Sequence, residues 1–179
     1  MPTPVDVALL VHGALAAAGV EHAFGGAIAY GFVAQPRGTV DVDVNVFLSE
    51  EEAPGIIEVL CRSGCDVDPV AATRSIRERG DFRGRCLGFR VDFFTPFHPF
   101  HDSVRARMRR VELTGTPIQV ISAEDLIVFK CLFDRPKDWA DIDAMVRALG
   151  PAFDRAYVER WLRDILPEDD PRVEKMRNH

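Results

Sequence analysis

Residues 39–48 alternate so regularly that an extended strand is the one conformation that uses them. Val40, Val42, Val44 and Val46 fall on one face, and Asp41, Asp43 and Asn45 on the other, which is the period-two pattern of a half-covered strand. A helix would scatter the same valines around its circumference. The chain must therefore build a sheet with one apolar face to cover and one polar face presenting two carboxylates two residues apart.

The rest of the sequence supplies the covering layers. Residues 3–18 read as a helix capped by Thr3, opened by Pro4 and stopped at Gly19. A short strand is expected over residues 21–24, broken by Gly25-Gly26, and a helix over 27–33. Ser49, with Glu52 three residues on, predicts a capped helix running to Arg62. A short strand follows at 66–70 and a helix at 71–79. Residues 82–87 and 89–94 are the arms of a hairpin turning at Gly88. A short helix lies within 96–107, and short strands at 109–113 and 118–121. Beyond them the chain is helical: one helix capped by Ser122 and Asp125, one opened by Pro136, and one capped by Asp154. The charged segment from Pro167 onward is expected to fray. The fold class is α+β: a mixed β-sheet flanked by helices, residues 1–121, with a small C-terminal helical region, residues 122–179, packed on it.

At 179 residues, 47% hydrophobic and 28% charged, the chain can bury roughly 70% of its extended surface and needs no structural metal or disulfide. Cys61 and Cys65 lack the second pair a zinc site requires, so Cys61, Cys65, Cys86 and Cys131 are expected to be reduced thiols in a cytoplasmic protein. The apolar run 5–20 contains Asp6 and His12 and lacks a basic leader, which speaks against a signal peptide or membrane span. The net charge of −6 is unevenly spread: residues 74–110 hold ten Arg against Glu78, Asp81, Asp92 and Asp102, or +6, leaving −12 elsewhere. Such a basic segment suits either a phosphate-bearing partner or a solvated face.

Two carboxylates projecting from one strand face repel each other unless a cation lies between them. Hard oxygen ligands suit Mg2+, which takes one or two carboxylates and completes its shell with water and phosphate oxygens. Asp92 stands among apolar and aromatic residues in Phe89-Arg90-Val91-Asp92-Phe93-Phe94, where an acid needs a compensating partner. If that strand lies beside the first, the three acids converge on a two-metal site. Upstream, Gly25-Gly26 allows a backbone to approach phosphate closely. His98 and His101 have no companion ligands and read as packing residues, as do Trp139 and Trp161.

The run Phe24-Gly25-Gly26, followed by Arg37-Gly38-Thr39-Val40-Asp41-Val42-Asp43, resembles the signature of the polymerase-beta-type nucleotidyltransferases. The run Ser122-Ala123-Glu124-Asp125-Leu126-Ile127-Val128-Phe129-Lys130, with Lys137-Asp138-Trp139-Ala140-Asp141-Ile142 after it, is similar to their AbiEii/MenT-type toxin branch. The resemblance spans residues 20–147. It implies two Mg2+ ions held by Asp41, Asp43 and Asp92, with Asp92 also the base for an incoming hydroxyl. It further implies an NTP, such as ATP, bound by Gly25, Gly26, Arg37 and Thr39, with Lys130 meeting phosphate charge and Asp141 orienting that region. Many members carry Gly-Ser where this chain has Gly25-Gly26.

The expected activity is transfer of an NMP from an NTP to a hydroxyl of RNA (tRNA included) or protein, as in toxin–antitoxin systems, with a possible antitoxin partner and no membrane. The alternatives are a small-molecule, antibiotic-type acceptor, and a catalytically silent module that binds nucleotide or a partner. For Lys130 the competing role is an i,i+4 pair with Asp134.

Overall fold

A computed structural model describes residues 1–179. Its elements are α1 (Pro4–Ala17), β1 (His22–Phe24), α2 (Gly26–Tyr30), β2 (Asp41–Val46), α3 (Ala53–Arg62), β3 (Cys65–Asp66), α4 (Pro69–Arg79), β4 (Asp81–Cys86) and β5 (Phe89–Phe94). They continue with α5 (Phe100–Ala106), β6 (Arg109–Leu113), β7 (Thr116–Val120), α6 (Ala123–Phe133), α7 (Pro136–Leu149), α8 (Arg155–Ile165) and α9 (Pro171–Arg177). The chain divides into two compact units, one of residues 1–28 and 37–121, the other of 29–36 and 122–179.

The first unit holds a seven-stranded mixed sheet in the order β3-β4-β5-β2-β1-β7-β6. The valines dictate its build: Val42, Val44 and Val46 are fully buried, and Val91, Phe93 and Phe82 continue their face into β5 and β4. Phe82 and Phe93, directly paired across β4 and β5, stack with ring centroids 4.6 Å apart, the cross-strand contact that stabilises a pleated surface. Helices α1, α3 and α4 supply Val7, Val11, Leu15, Ile57, Leu60 and Ile76 to the same core. Thr3 caps α1 and, with Asp6, closes a capping box.

β2 is shorter than the alternation suggested, because Thr39 and Val40 precede the first ladder pair and Val40 stays exposed. The helix expected from Ser49 begins at Ala53: Glu52 reaches back to the Ser49 amide at 2.7 Å, but residues 50–52 form a turn. The β4–β5 hairpin turns on Leu87 and Gly88 together, at φ of 50° and 88°, a two-residue connection of the kind that matches strand twist. Cys65 and Cys86 are not the reduced thiols expected. They are register partners on β3 and β4 with Cα atoms 4.5 Å apart, and they are bonded as a disulfide. Cys61 and Cys131 remain free.

The second unit is helical. Ser122 caps α6, Asp154 caps α8 and Asp170 caps α9. The charged tail does not fray. Met176 is fully buried with its sulfur 3.6 Å from that of Cys131, Arg172 donates to the Leu132 carbonyl at 3.0 Å, and His179 stacks on Trp139. No helix is long and apolar enough to cross a membrane.

Candidate active site

The polar face of the sheet carries the site. β2 and β5 run parallel with Asp43 directly beside Asp92 and Asp41 beside Arg90. Partners in register project to the same side, so the three carboxylates share one face, opposite the buried valines. β1 lies on the other side of β2 and ends in the Gly25-Gly26 turn. The Gly25 amide donates to the Asp43 carbonyl at 2.9 Å, which pins the turn against the middle of β2.

The two glycines are there for steric reasons. A Cβ on Gly26 would lie 1.7 Å from Asp43 Oδ2, and its φ of +48° is left-handed. A Cβ on Gly25 would come within 3.3 Å of Asn45 Nδ2. A serine in place of Gly26 would strike the Asp43 carboxylate in this arrangement. The helix that follows, α2, is five residues long and ends at Tyr30 rather than Val33. Below Asp43 in the same row, Asn45 is buried and its Oδ1 has no hydrogen-bond partner.

Two of the three carboxylates are held by cations that the chain itself supplies. No group of three His, Cys, Asp or Glu side chains is placed to hold a metal ion. Two arginines bind Asp41 and Asp92. Arg90 Nη2 donates to Asp41 Oδ2 at 2.5 Å, and its Nε lies 3.0 Å from Asp92 Oδ2. Arg83, opposite Asp92 on β4, donates through Nε to Asp92 Oδ1 at 2.9 Å. The remaining oxygen of Asp41, Oδ1, accepts from Thr39 Oγ1 at 2.7 Å. Thr39 thus orients Asp41, while Arg37 donates to the Gly38 carbonyl at 3.3 Å.

Sequence reasoning missed Arg83 and Arg90. Arg90 carried a readable signal, since it sits two residues before Asp92 on one strand and so on one face. Arg83 did not, because its position opposite Asp92 depends on the hairpin register. The residues nonetheless suit divalent cations. They form an all-carboxylate donor set on one face, and Arg90 already stands between two of them as the cation their mutual repulsion demands.

Lys130 and Asp141 belong to the helical unit. Lys130 is 4% exposed, and its Nζ donates to Asp141 Oδ2 at 2.6 Å, with Asp138 at 3.7 Å and the Tyr30 ring below. It makes no pair with Asp134, which instead accepts from Trp139 Nε1 at 2.5 Å. The indole bond holds the Asp134 carboxyl below its ordinary pKa. Trp139 is buried as a core residue. His98 and His101 fold their loop: the Phe100 amide donates to His98 Nδ1 and the His98 amide to His101 Nδ1.

The basic segment is not one free surface. Arg77 pairs with Glu50, Arg79 with Asp81, Arg83 with Asp92, Arg90 with Asp41 and Asp92, and Arg105 with Glu21.

No family model and no curated protein matches the chain. Solved structures do, and they define its class: the chain has a nucleotidyltransferase fold. One is the resistance factor ANT(2'')-Ia in complex with adenylyl-2''-tobramycin, which aligns with a TM-score of 0.60 at 15% identity, covering 97% of each chain. Another is the lincosamide antibiotic adenylyltransferase LnuA with lincomycin bound, at 0.57 and 13% identity, covering 77% of this chain and 93% of that one. At identities this low it is the fold that is shared.

Proposed function

We propose that the protein is a metal-dependent nucleotidyltransferase of the polymerase-beta type, moving an NMP from an NTP to a hydroxyl acceptor. The observation that carries this reading is the parallel register of β2 and β5, which sets Asp43 beside Asp92 and Asp41 on the same face, next to a glycine turn that Asp43 itself overhangs. Asp41, Asp43 and Asp92 would hold two Mg2+ ions, which supply charge neutralisation along the in-line displacement at phosphorus. Gly25 and Gly26 let the triphosphate lie close to the backbone. Thr39 keeps Asp41 turned for binding. Asp92 takes the proton of the acceptor hydroxyl as its oxygen bonds to the α-phosphorus and the bond to the β-phosphate breaks, releasing pyrophosphate. The Lys130–Asp141 pair acts within the helical unit, fixing α6 to α7; a phosphate contact by Lys130 would first require breaking it.

For the acceptor, the ANT(2'')-Ia and LnuA folds support a small-molecule hydroxyl. Five of the ten arginines of the basic segment, Arg77, Arg79, Arg83, Arg90 and Arg105, stand in ion pairs, which weakens the compositional case for RNA. A toxin-type RNA or protein acceptor with a neighbouring antitoxin rests on the helical motif of α6 and α7 alone.

The test is to incubate the protein and Mg2+ with each α-labelled NTP beside total RNA, its own polypeptide, and a panel of hydroxylated antibiotics. Label should enter one acceptor class in the wild type and none in Asp41→Ala. That variant should stay folded, because the half-exposed Asp41–Arg90 pair contributes about 1 kcal/mol or less. Equal labelling by the variant would refute the assignment.

A further inference from the structure

Every oxygen of Asp41 and Asp92 already has a partner: Thr39 and Arg90 on Asp41, Arg83 and Arg90 on Asp92. One guanidinium spans both acids, and each acid comes from a different strand. Stability alone gives little reason for this bridge, since the Arg90 side chain is 47% exposed and such pairs contribute little. What the bridge does is hold together two anions that would otherwise repel, with a cation tethered to one of their strands.

We infer that Arg90 is a positioning residue that competes with the divalent cation for Asp41 and Asp92, and so makes metal occupancy depend on bound nucleotide. This rests on the nucleotidyltransferase reading above. A metal ion and the guanidinium need the same Oδ2 atoms, so metal entry requires Arg90 to leave. In the free protein that move strands an arginine with no anion in exchange. With a triphosphate in the site, phosphate oxygens take the guanidinium, because a planar fork of donors suits phosphate as well as carboxylate. The acids then regroup around metal only when there is a nucleotide to act on. Arg83 is less suited to this role, since it bonds Asp92 alone and is more exposed.

The test is Mn2+ binding followed by electron paramagnetic resonance, with and without a non-hydrolysable NTP analogue, in the wild type, Arg90→Gln, Arg90→Lys and Asp43→Asn. Without nucleotide, Arg90→Gln should bind Mn2+ at least about tenfold more tightly than the wild type, the scale on which one adjacent unit charge shifts a carboxylate's affinity for a cation. Arg90→Lys, which keeps the charge but cannot span both acids, should fall between. Adding the analogue should tighten Mn2+ binding in the wild type far more than in Arg90→Gln. Equal nucleotide-free affinities in wild type and Arg90→Gln would overturn the inference while leaving the metal site standing. Failure of the wild type to bind Mn2+ even with nucleotide, or binding by Asp43→Asn as tight as wild type, would remove the metal site itself and the inference with it.

Discussion

At the scale of single residues, Gly26 and Asp43 are the tightest constraint. The carboxylate of one occupies the space where any side chain on the other would stand. Gly26→Ala should therefore cost roughly 1–2 kcal/mol for a non-glycine residue in the left-handed region, and it should also push Asp43 out of place. Chemical denaturation will read the first effect and nucleotide transfer the second. A variant as stable and as active as the wild type would show that the turn and the acid are not coupled. The sequence made the glycine pair and the acids visible, because composition and spacing mark them directly. It could not show that Arg90 bridges two of those acids, since a side chain's partner depends on which strands become neighbours.

Among elements, the β4–β5 hairpin shows how much rides on one residue of register. A turn placed at Gly88 alone does not give the pairing of Arg83 with Asp92. The actual turn uses Leu87 and Gly88, and Leu87 at positive φ gives no sequence signal, because Asn or Asp is the usual residue there. The same register brings Cys65 to Cys86 by way of β3, a pairing that their 21-residue separation conceals. A thiol titration of the unfolded, unreduced protein should count two reactive cysteines, Cys61 and Cys131. A count of four would contradict the bond.

The junction of α1 with β1 carries a pH dependence. His22 donates through Nδ1 to the Val20 carbonyl at 2.8 Å, leaving Nε2, 2.9 Å from His12 Nδ1, to accept from it. Burial pushes the His22 imidazole pKa down, as it does for His101. The unfolded chain therefore binds protons that the folded one refuses. Both contributions are intact above pH of about 6.5 and are lost as pH falls below it, by up to about 1.4 kcal/mol per pH unit for each histidine. Denaturation at pH 7 and pH 5 should show this loss, and His22→Gln should reduce it. An unchanged slope in the variant would assign the effect elsewhere.

For the whole molecule, the architecture was largely legible. Alternation over residues 39–48 gave the sheet, caps gave most helices, and the succession of elements gave a mixed α/β order ending in helices. The docked tail was not legible. Its charge pattern looked solvated, yet Arg172 and Asp170 pair with each other, the Arg172 guanidinium lowering the Asp170 carboxyl to about 2, and Met176 enters the core. Two buried residues, Val173 and Met176, among many charges are too sparse a signal for periodicity to detect.

On the proposed reading, Asp41 and Asp92 exchange Arg90 for divalent cations when nucleotide binds, and Asp43 joins them as a ligand. Anomalous scattering from crystals grown with Mn2+ and a non-hydrolysable NTP analogue decides whether this happens. Metal peaks are expected within about 2.0–2.2 Å of carboxylate oxygens from all three residues, with Arg90 turned onto phosphate. Nucleotide bound without metal at these acids, or metal held elsewhere in the chain, would contradict it.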